Sequence, residues 1–182
     1  MNGLPPGFPH GCSLRRATPA DLASFCEFSR RTFVATYGAF HAPERMARHV
    51  AERLNDQRLG EELADPSRTV LVLAEAQAAV WVGYAMLRSG DGPSEVKAAR
   101  PVEIERFYVD HAWHGRGLAA PLMAAALDAA RATGHDVAWL GVWEQNPRAV
   151  RFYEKAGFRI VGRHHYVFDG TPEDDHLMAL DL

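Results

Sequence analysis

The stretch from Val102 to Ala130 constrains this chain most. Val102, Ile104, Phe107, Tyr108 and Val109 form a short run of β-branched, aromatic and apolar residues, which predicts a strand. Gly115 and Gly117 follow, flanking Arg116. Beyond them, Leu118, Leu122, Met123, Ala126 and Leu127 recur at helical spacing, with alanines between. A strand, a glycine turn and a helix in that order expose backbone N–H groups at the positive end of a helix dipole. Such a terminus is an anion site, and phosphate is the usual anion.

The rest of the chain supplies elements on both sides of this unit. Met1 to Gly11 holds three prolines and three glycines and is predicted to be a flexible tail, with one domain over residues 12–182. Cys12 to Ala17 suits a first strand. Thr18, Pro19 and Asp21 make a helix start, and Leu22, Phe25, Cys26, Phe28 and Phe33 its buried stripe, fading near Gly38. A charged second helix is predicted from Pro43 to Ala64, broken near Gly60. Thr69 to Ala76 and Val80 to Leu87 read as a hairpin, with Gly83 marking a bulge or a close backbone approach. A polar loop, expected to be mobile, runs from Ser89 to Pro101. Gly134 stops the central helix, and Val137 to Val142, apolar on both faces, reads as a central strand. Asn146 and Pro147 open another helix, which Gly157 ends. Phe158 to Phe168 and His176 to Leu182 are the last strands, joined through Asp169 to Pro172. The order is β-α-α-β-β-β-α-β-α-β-β. The crossover at the organising stretch makes its two strands parallel, and hairpins make the rest antiparallel. The fold class is α/β, a mixed central sheet with helices on both faces.

Composition excludes several function classes. The 182 residues have room for one full core, and 47% hydrophobic with 24% charged residues is ordinary globular usage. A net charge of −3 without a basic block argues against nucleic acid and agrees weakly with a cationic substrate. Two cysteines, Cys12 and Cys26, set up no disulfide framework, as expected in a reducing cytosol. No apolar run is long enough to span a membrane and no secretory signal is visible, so a cytoplasmic protein is expected. The nine histidines include no helical i, i+4 pair with a third ligand, so no metal is expected.

Two phosphate sites use a glycine turn of this kind. Gly115-x-Gly117-x-x-Ala120, with Glu144 farther on, fits a dinucleotide fingerprint. That fingerprint opens a sheet of two βαβαβ halves, and here too little sequence follows the turn for a second half. His114-Gly115-Arg116-Gly117-Leu118-Ala119 instead resembles the Q/R-x-x-G-x-G/A motif of the GCN5-related N-acetyltransferase (GNAT) family, with His114 where that family has Arg or Gln. Asn146, Ala149, Phe152, Tyr153, Gly157 and Phe158 match its second signature, N-x-x-A-x-x-F-Y-x-x-x-G-F. Over nearly the whole chain, Thr32-Phe33, Thr36-Tyr37-Gly38, Gly83-Tyr84-Ala85, His164, Asp169-Gly170 and Asp175-x-x-Met178 resemble the bacterial spermidine/spermine N-acetyltransferase-like branch.

The resemblance implies transfer of acetyl from acetyl-coenzyme A to a primary amine, with a polyamine such as spermidine as acceptor. Within the fold, the alternatives are acetylation of a protein N-terminus or an antibiotic. From a different class comes a non-catalytic sensor of acyl-coenzyme A. The resemblance also assigns residues. Phe107, Tyr108 and Val109 would offer backbone N–H groups to the thioester arm and oxyanion. His114, Gly115, Arg116, Gly117, Leu118, Ala119 and Ala120 would meet the pyrophosphate. Asn146 would touch the pantetheine, or simply cap its helix. Tyr153 would protonate the leaving thiolate, a phenol being protonated at neutral pH; otherwise it is one more core aromatic. Glu103 and Glu105 lie two apart on a strand and project to one face. Glu103 is the first choice for general base, the alternative being an ion pair. Tyr37, Glu105 and Glu144 would line the acceptor site, and Glu144, Asp110 and Asp175 could form an acidic cleft. Homodimers are common in the family, but no stretch here specifies one.

Overall fold

The computed structural model describes residues 8, 11–75 and 80–182. Most of the predicted tail lies outside them; Phe8, which does not, is buried against Cys12 and Leu14. Seven strands form one sheet: β1 (Cys12–Arg16), β2 (Arg68–Glu75), β3 (Trp81–Ser89), β4 (Pro101–Val109), β5 (Val137–Trp143), β6 (Arg159–Phe168) and β7 (Thr171–Asp181). Their order across the sheet is β1-β2-β3-β4-β5-β7-β6. Only β4 and β5 pair in parallel; every other pairing is antiparallel.

Helices α1 (Leu22–Tyr37), α2 (Pro43–Arg53) and α3 (Asp56–Ala64) cover one face, and α4 (Ala119–Ala132) and α5 (Pro147–Lys155) the other. Strand β2 shows why both faces close. Val70 and Val72 join the core under α1–α3, while Leu71 and Leu73 join the core under α4 and α5. That is the continuous apolar pattern of a strand buried on both sides. A 3₁₀ turn over Pro19–Asp21 precedes α1, where the Asp21 carboxylate accepts the Thr18 N–H at 2.8 Å.

Three expectations need correction. The predicted helix over 43–64 is two helices, and the break falls at Leu54–Asn55, not Gly60. The reason is a cap: Asn55 Oδ1 accepts the Arg58 N–H at 2.9 Å and starts α3, within which Gly60 is carried. Strand β7 begins at Thr171, five residues earlier than expected. Asp169 and Gly170, at φ 47° and 75°, form a two-residue turn, and such turns hold their flanking strands in register at once. The loop from Ser89 to Pro101 is also anchored, because Val96 is buried against Trp139.

Three bulges interrupt the sheet: one in β6, where Ile160 faces Met178 but Gly162 faces Leu177, and two beside the site. One falls in β3 beside Gly83, where Leu73 faces Gly83 but Ala74 faces Trp81. The other falls in β4, where Met86 faces Arg106 but Leu87 faces Ile104, leaving Glu105 as the extra residue. The side-chain alternation shifts there. Tyr108 therefore joins Glu103 on the α1–α3 face, while Val102, Ile104, Phe107 and Val109 pack beneath α4 and α5. Among the described residues, no helix is long and apolar enough to cross a membrane.

Candidate active site

The site is built where β4 and β5 part. Their parallel pairing stops at Glu103 and Trp139, although both strands continue, to Val109 and Trp143. On its other side β4 stays paired to β3, and Asp110 donates its N–H to Val82 at 2.9 Å. Antiparallel ladders alternate, so Tyr108 bonds to β3 while Phe107 and Val109 turn their amides towards the gap. The Val109 carbonyl confirms this direction: it accepts a hydrogen bond from His114 Nε2 at 2.9 Å.

A groove of about 780 Å³ runs through this gap, and every residue predicted to hold acetyl-coenzyme A lines it except Arg116. The Arg116 guanidinium instead lies over the Trp113 ring, 4.6 Å from its centroid. Gly115 and Gly117 have φ of 77° and 75°, and α4 begins two residues after Gly117. Left-handed glycines at a helix entrance turn successive N–H groups to one side, which makes a cradle for an anion. His114 adds no charge to this cradle. Burial lowers its pKa, its Nε2 proton goes to Val109, and its Nδ1 is buried without a partner among the described residues. The side chain instead ties the loop to the end of β4. Arg148 and Arg151 of α5 line the same groove and carry the guanidinium groups that His114 lacks.

Tyr153 enters the groove from α5, its ring edge-on to Phe107 and Phe158. Burial, reinforced by the nearby Tyr37 hydroxyl, pushes its pKa well up, so the phenol keeps its proton. Asn146 caps α5, accepting the Ala149 N–H at 3.2 Å while lining the groove.

A second cavity, of about 420 Å³, opens on the α1–α3 face of the sheet. Tyr37, Glu105, Tyr108, Gly141 and Trp143 are among the residues that line both it and the groove. Glu103 and Glu105 face this cavity, as their spacing predicts, but neither carboxylate is free. Glu105 accepts two hydrogen bonds from Arg68, at 2.7 and 3.0 Å. Arg88 holds Glu103 through Nε at 3.0 Å and through a second, shorter contact, and reaches Glu105 at 3.1 Å. Burial still raises the Glu103 pKa against the pull of Arg88. Glu62 is taken by Arg106, at 2.6 and 3.1 Å.

Tyr37 stands at the junction, edge-on to Trp143 at 6.1 Å, with its pKa pushed up to about 12 by burial. Glu144 and Asp110 leave the predicted acidic cleft. Strand alternation sends Glu144 to the face opposite Trp143, where it pairs with His176 at 3.4 Å and Arg163 at 3.3 Å. Asp110 pairs with Arg31 and turns its other oxygen to the Ala112 N–H. Asp175 stays. It is 8% exposed, lines the cavity, and has its pKa pushed up to about 7 by burial and by Glu173, Glu144 and Asp174. Sequence reasoning placed it only within an acidic group, because its setting comes from β5–β7 pairing, which no local pattern announces. Among the described residues no cluster of three or more His, Cys, Asp or Glu is arranged to hold a metal ion.

Comparison with known proteins settles what this frame is. The family model for the acetyltransferase (GNAT) family matches residues 25–158, which spans the splayed strands, the glycine turn and α5. The chain belongs to the acetyltransferase (GNAT) family. This acetyltransferase is 36% identical over 162 residues to an uncharacterised N-acetyltransferase of Mycobacterium bovis, covering 89% of the chain and 98% of that relative. Its fold matches the PaiA N-acetyltransferase of Thermoplasma acidophilum, solved with coenzyme A, at a TM-score of 0.73, with 19% identity and coverage of 94% and 99%. It also matches a variant of the spermidine N-acetyltransferase SpeG of Vibrio cholerae at a TM-score of 0.65, with 20% identity and 94% of each chain covered.

Proposed function

We propose that this GNAT acetyltransferase moves acetyl from acetyl-coenzyme A to a primary amine of a small polycation, of which spermidine is the type. The observation that carries the acceptor class is the division of charge in the smaller cavity. At one end Arg68, Arg88 and Arg106 neutralise Glu105, Glu103 and Glu62. At the other end, beside the gap between β4 and β5, Asp175 and Glu173 stand with no guanidinium partner among the described residues, walled by Tyr37, Trp143 and Phe168. Carboxylates and aromatic faces together suit an ammonium. One solved protein of similar fold, SpeG, is a spermidine N-acetyltransferase.

The groove fits the donor: left-handed glycines form a cradle, α4 adds its positive end, and the splay leaves free amides. Acetyl-coenzyme A supplies the thioester that the amine attacks. The amides of Gly115 to Ala120 hold the pyrophosphate, with Arg148 and Arg151 supplying positive charge. The Phe107 and Val109 amides stabilise negative charge on the carbonyl oxygen. Asn146 presents its remaining polar atoms to the pantetheine. Tyr153 donates to the leaving sulfur. Its raised pKa makes full proton transfer to a thiolate, with reference pKa about 8.5, uphill, so it acts chiefly as a hydrogen-bond donor to the developing charge.

The test is thiol release from acetyl-coenzyme A with spermidine, spermine, lysine, an aminoglycoside and short peptides. Saturable release with spermidine or spermine is the expected result. Release only with a peptide or an aminoglycoside moves the chain to another acceptor class. Tight donor binding with silence throughout is the sensor's signature. Tyr153→Phe is expected to lower kcat about 10- to 100-fold with donor affinity unchanged, and an undiminished rate removes Tyr153 from the chemistry.

A further inference from the structure

Amine acetylation needs a proton acceptor, because only the neutral amine has a lone pair to attack with. The acceptor cavity offers five carboxylates, those of Glu62, Glu103, Glu105, Glu173 and Asp175. Guanidinium groups hold the first three. Glu173 lies 3.6 Å from His41 Nδ1, which leaves Asp175. No hydrogen bond or ion pair reaches the Asp175 carboxylate from any described residue, although the residue is more than nine-tenths buried. The carboxylate lines the acceptor cavity, where a partner from outside the chain can reach it.

Its position says what that partner is. Asp175 lies directly across from Trp143 of β5 and from His164 of β6. Its Oδ2 would lie only 3.1 Å from a Cβ built on Gly141, which lines both the donor groove and the acceptor cavity. The carboxylate therefore stands on the acceptor side of the gap through which the two cavities meet, while Tyr153 stands on the donor side.

Resting on the acetyltransferase reading above, we infer that Asp175 is the general base of this enzyme: it takes the proton from the acceptor's ammonium before attack. In the step, one N–H bond of R–NH3⁺ breaks and its proton goes to Asp175 Oδ2. The freed lone pair forms the C–N bond, and the C–S bond breaks with its electron pair leaving on sulfur. A second amine proton ends on that sulfur as the thiol, and Asp175 returns its own proton to water. Net, ammonium and thioester give amide, thiol and one proton.

The surroundings set the pH at which this works. Glu173 from β7 faces Asp175, His164 lies opposite on β6, and Tyr37 of α1 closes the junction. Asp174 and Glu144 add negative charge from the other side. Burial and these neighbours hold the carboxyl proton until about pH 7, so the base is half-charged near neutrality rather than near pH 4. Glu103, clamped by Arg88, is displaced from the role that its strand position suggests.

The test combines a titration and a pH–rate series on the intact chain. By carbon-detected NMR of labelled aspartate, one carboxyl resonance, absent from Asp175→Asn, is expected to titrate near 7; titration near 4 overturns the inference without reference to turnover. In kcat/KM for an amine on which the wild type is active, Asp175→Asn is expected to lose about 100-fold at pH 7. The deficit should shrink with rising pH, as solvent deprotonates the amine, and the wild-type limb near 7 should vanish. Glu103→Gln is expected to keep that limb. Loss by one factor at every pH, a KM-only effect, or disappearance of the limb in Glu103→Gln instead would each refute Asp175 as base. Coenzyme A affinity of Asp175→Asn should match wild type, which separates the role from misfolding. A wild-type chain that acetylates no amine refutes the acetyltransferase reading, and the base role with it.

Discussion

Gly117 and Gly141 are both glycines at the site, for different reasons. At Gly117 no atom lies within 4 Å of where a Cβ would be, so the demand comes from its φ of 75° alone. Gly117→Ala meets no clash but must carry a left-handed backbone, at about 1 to 2 kcal/mol. Relaxing that strain re-aims the amides of the cradle. Calorimetric titration should show coenzyme A affinity down by about 5- to 30-fold with Tyr153 chemistry otherwise intact. Unchanged affinity would mean that the loop amides do not hold the pyrophosphate. At Gly141 the demand is space, because a Cβ there would lie 3.1 Å from Asp175 Oδ2. The first requirement is written into the turn motif, and the second appears only when β5 and β7 pair.

Arg45, Arg48 and His49 tie helix α2 to the β6–β7 hairpin. His49 is 1% exposed, accepts the Asp169 N–H at Nδ1 (3.2 Å), and donates from Nε2 to the Tyr166 hydroxyl (2.9 Å). Phe33 and Phe168 stack on its ring at 5.3 and 4.4 Å. It thus bolts α2 to the β6–β7 hairpin that carries Asp175. The neutral tautomer satisfies both partners, and burial pushes the pKa down to about 4. The unfolded chain binds a proton at this residue near pH 6.5, the folded one only near 4. Stability from His49 is therefore complete above pH 6.5 and is lost as pH falls towards 4, by about 3 kcal/mol over that window. Urea midpoints measured from pH 7 to 4.5 should fall more steeply for wild type than for His49→Gln, which is weaker at pH 7. Parallel slopes would remove His49 as the cause.

Across the molecule, the working feature is a defect in the sheet. The parallel pair β4–β5 holds for three residue pairs and then opens, so the two strands no longer pair their backbones beyond it. A cavity forms on each face, and both meet in the gap. Backbone left unpaired in this way is costly unless a ligand or water completes it. Hydrogen exchange should therefore find the Phe107 and Val109 amides fast and the Tyr108 amide, bonded to β3, slow. Coenzyme A should slow the first two. Equal protection of all three amides in the free protein would contradict the splay.

Much of this was readable from residues alone. The element order followed from periodicity and turn chemistry, and the two glycine- and asparagine-centred motifs named the donor groove. Those signals are local: a helix start, a left-handed glycine or an alternating strand depends on neighbours within a turn or two. The acceptor side was not readable that way. Glu103 and Glu105 were correctly set on one face, yet their guanidinium partners come from β2 and β3 through strand pairing. Glu144 fell on the wrong face for its predicted role. Asp175, unremarkable in sequence, became a carboxylate beside the gap that no described residue pairs or hydrogen-bonds, because β5, β6 and β7 converge there. Sequence alone determined the fold and the donor frame, since backbone conformation carries both. Only tertiary structure decided the charge state of the acceptor cavity, since ion pairing and burial depend on residues brought together from distant parts of the chain.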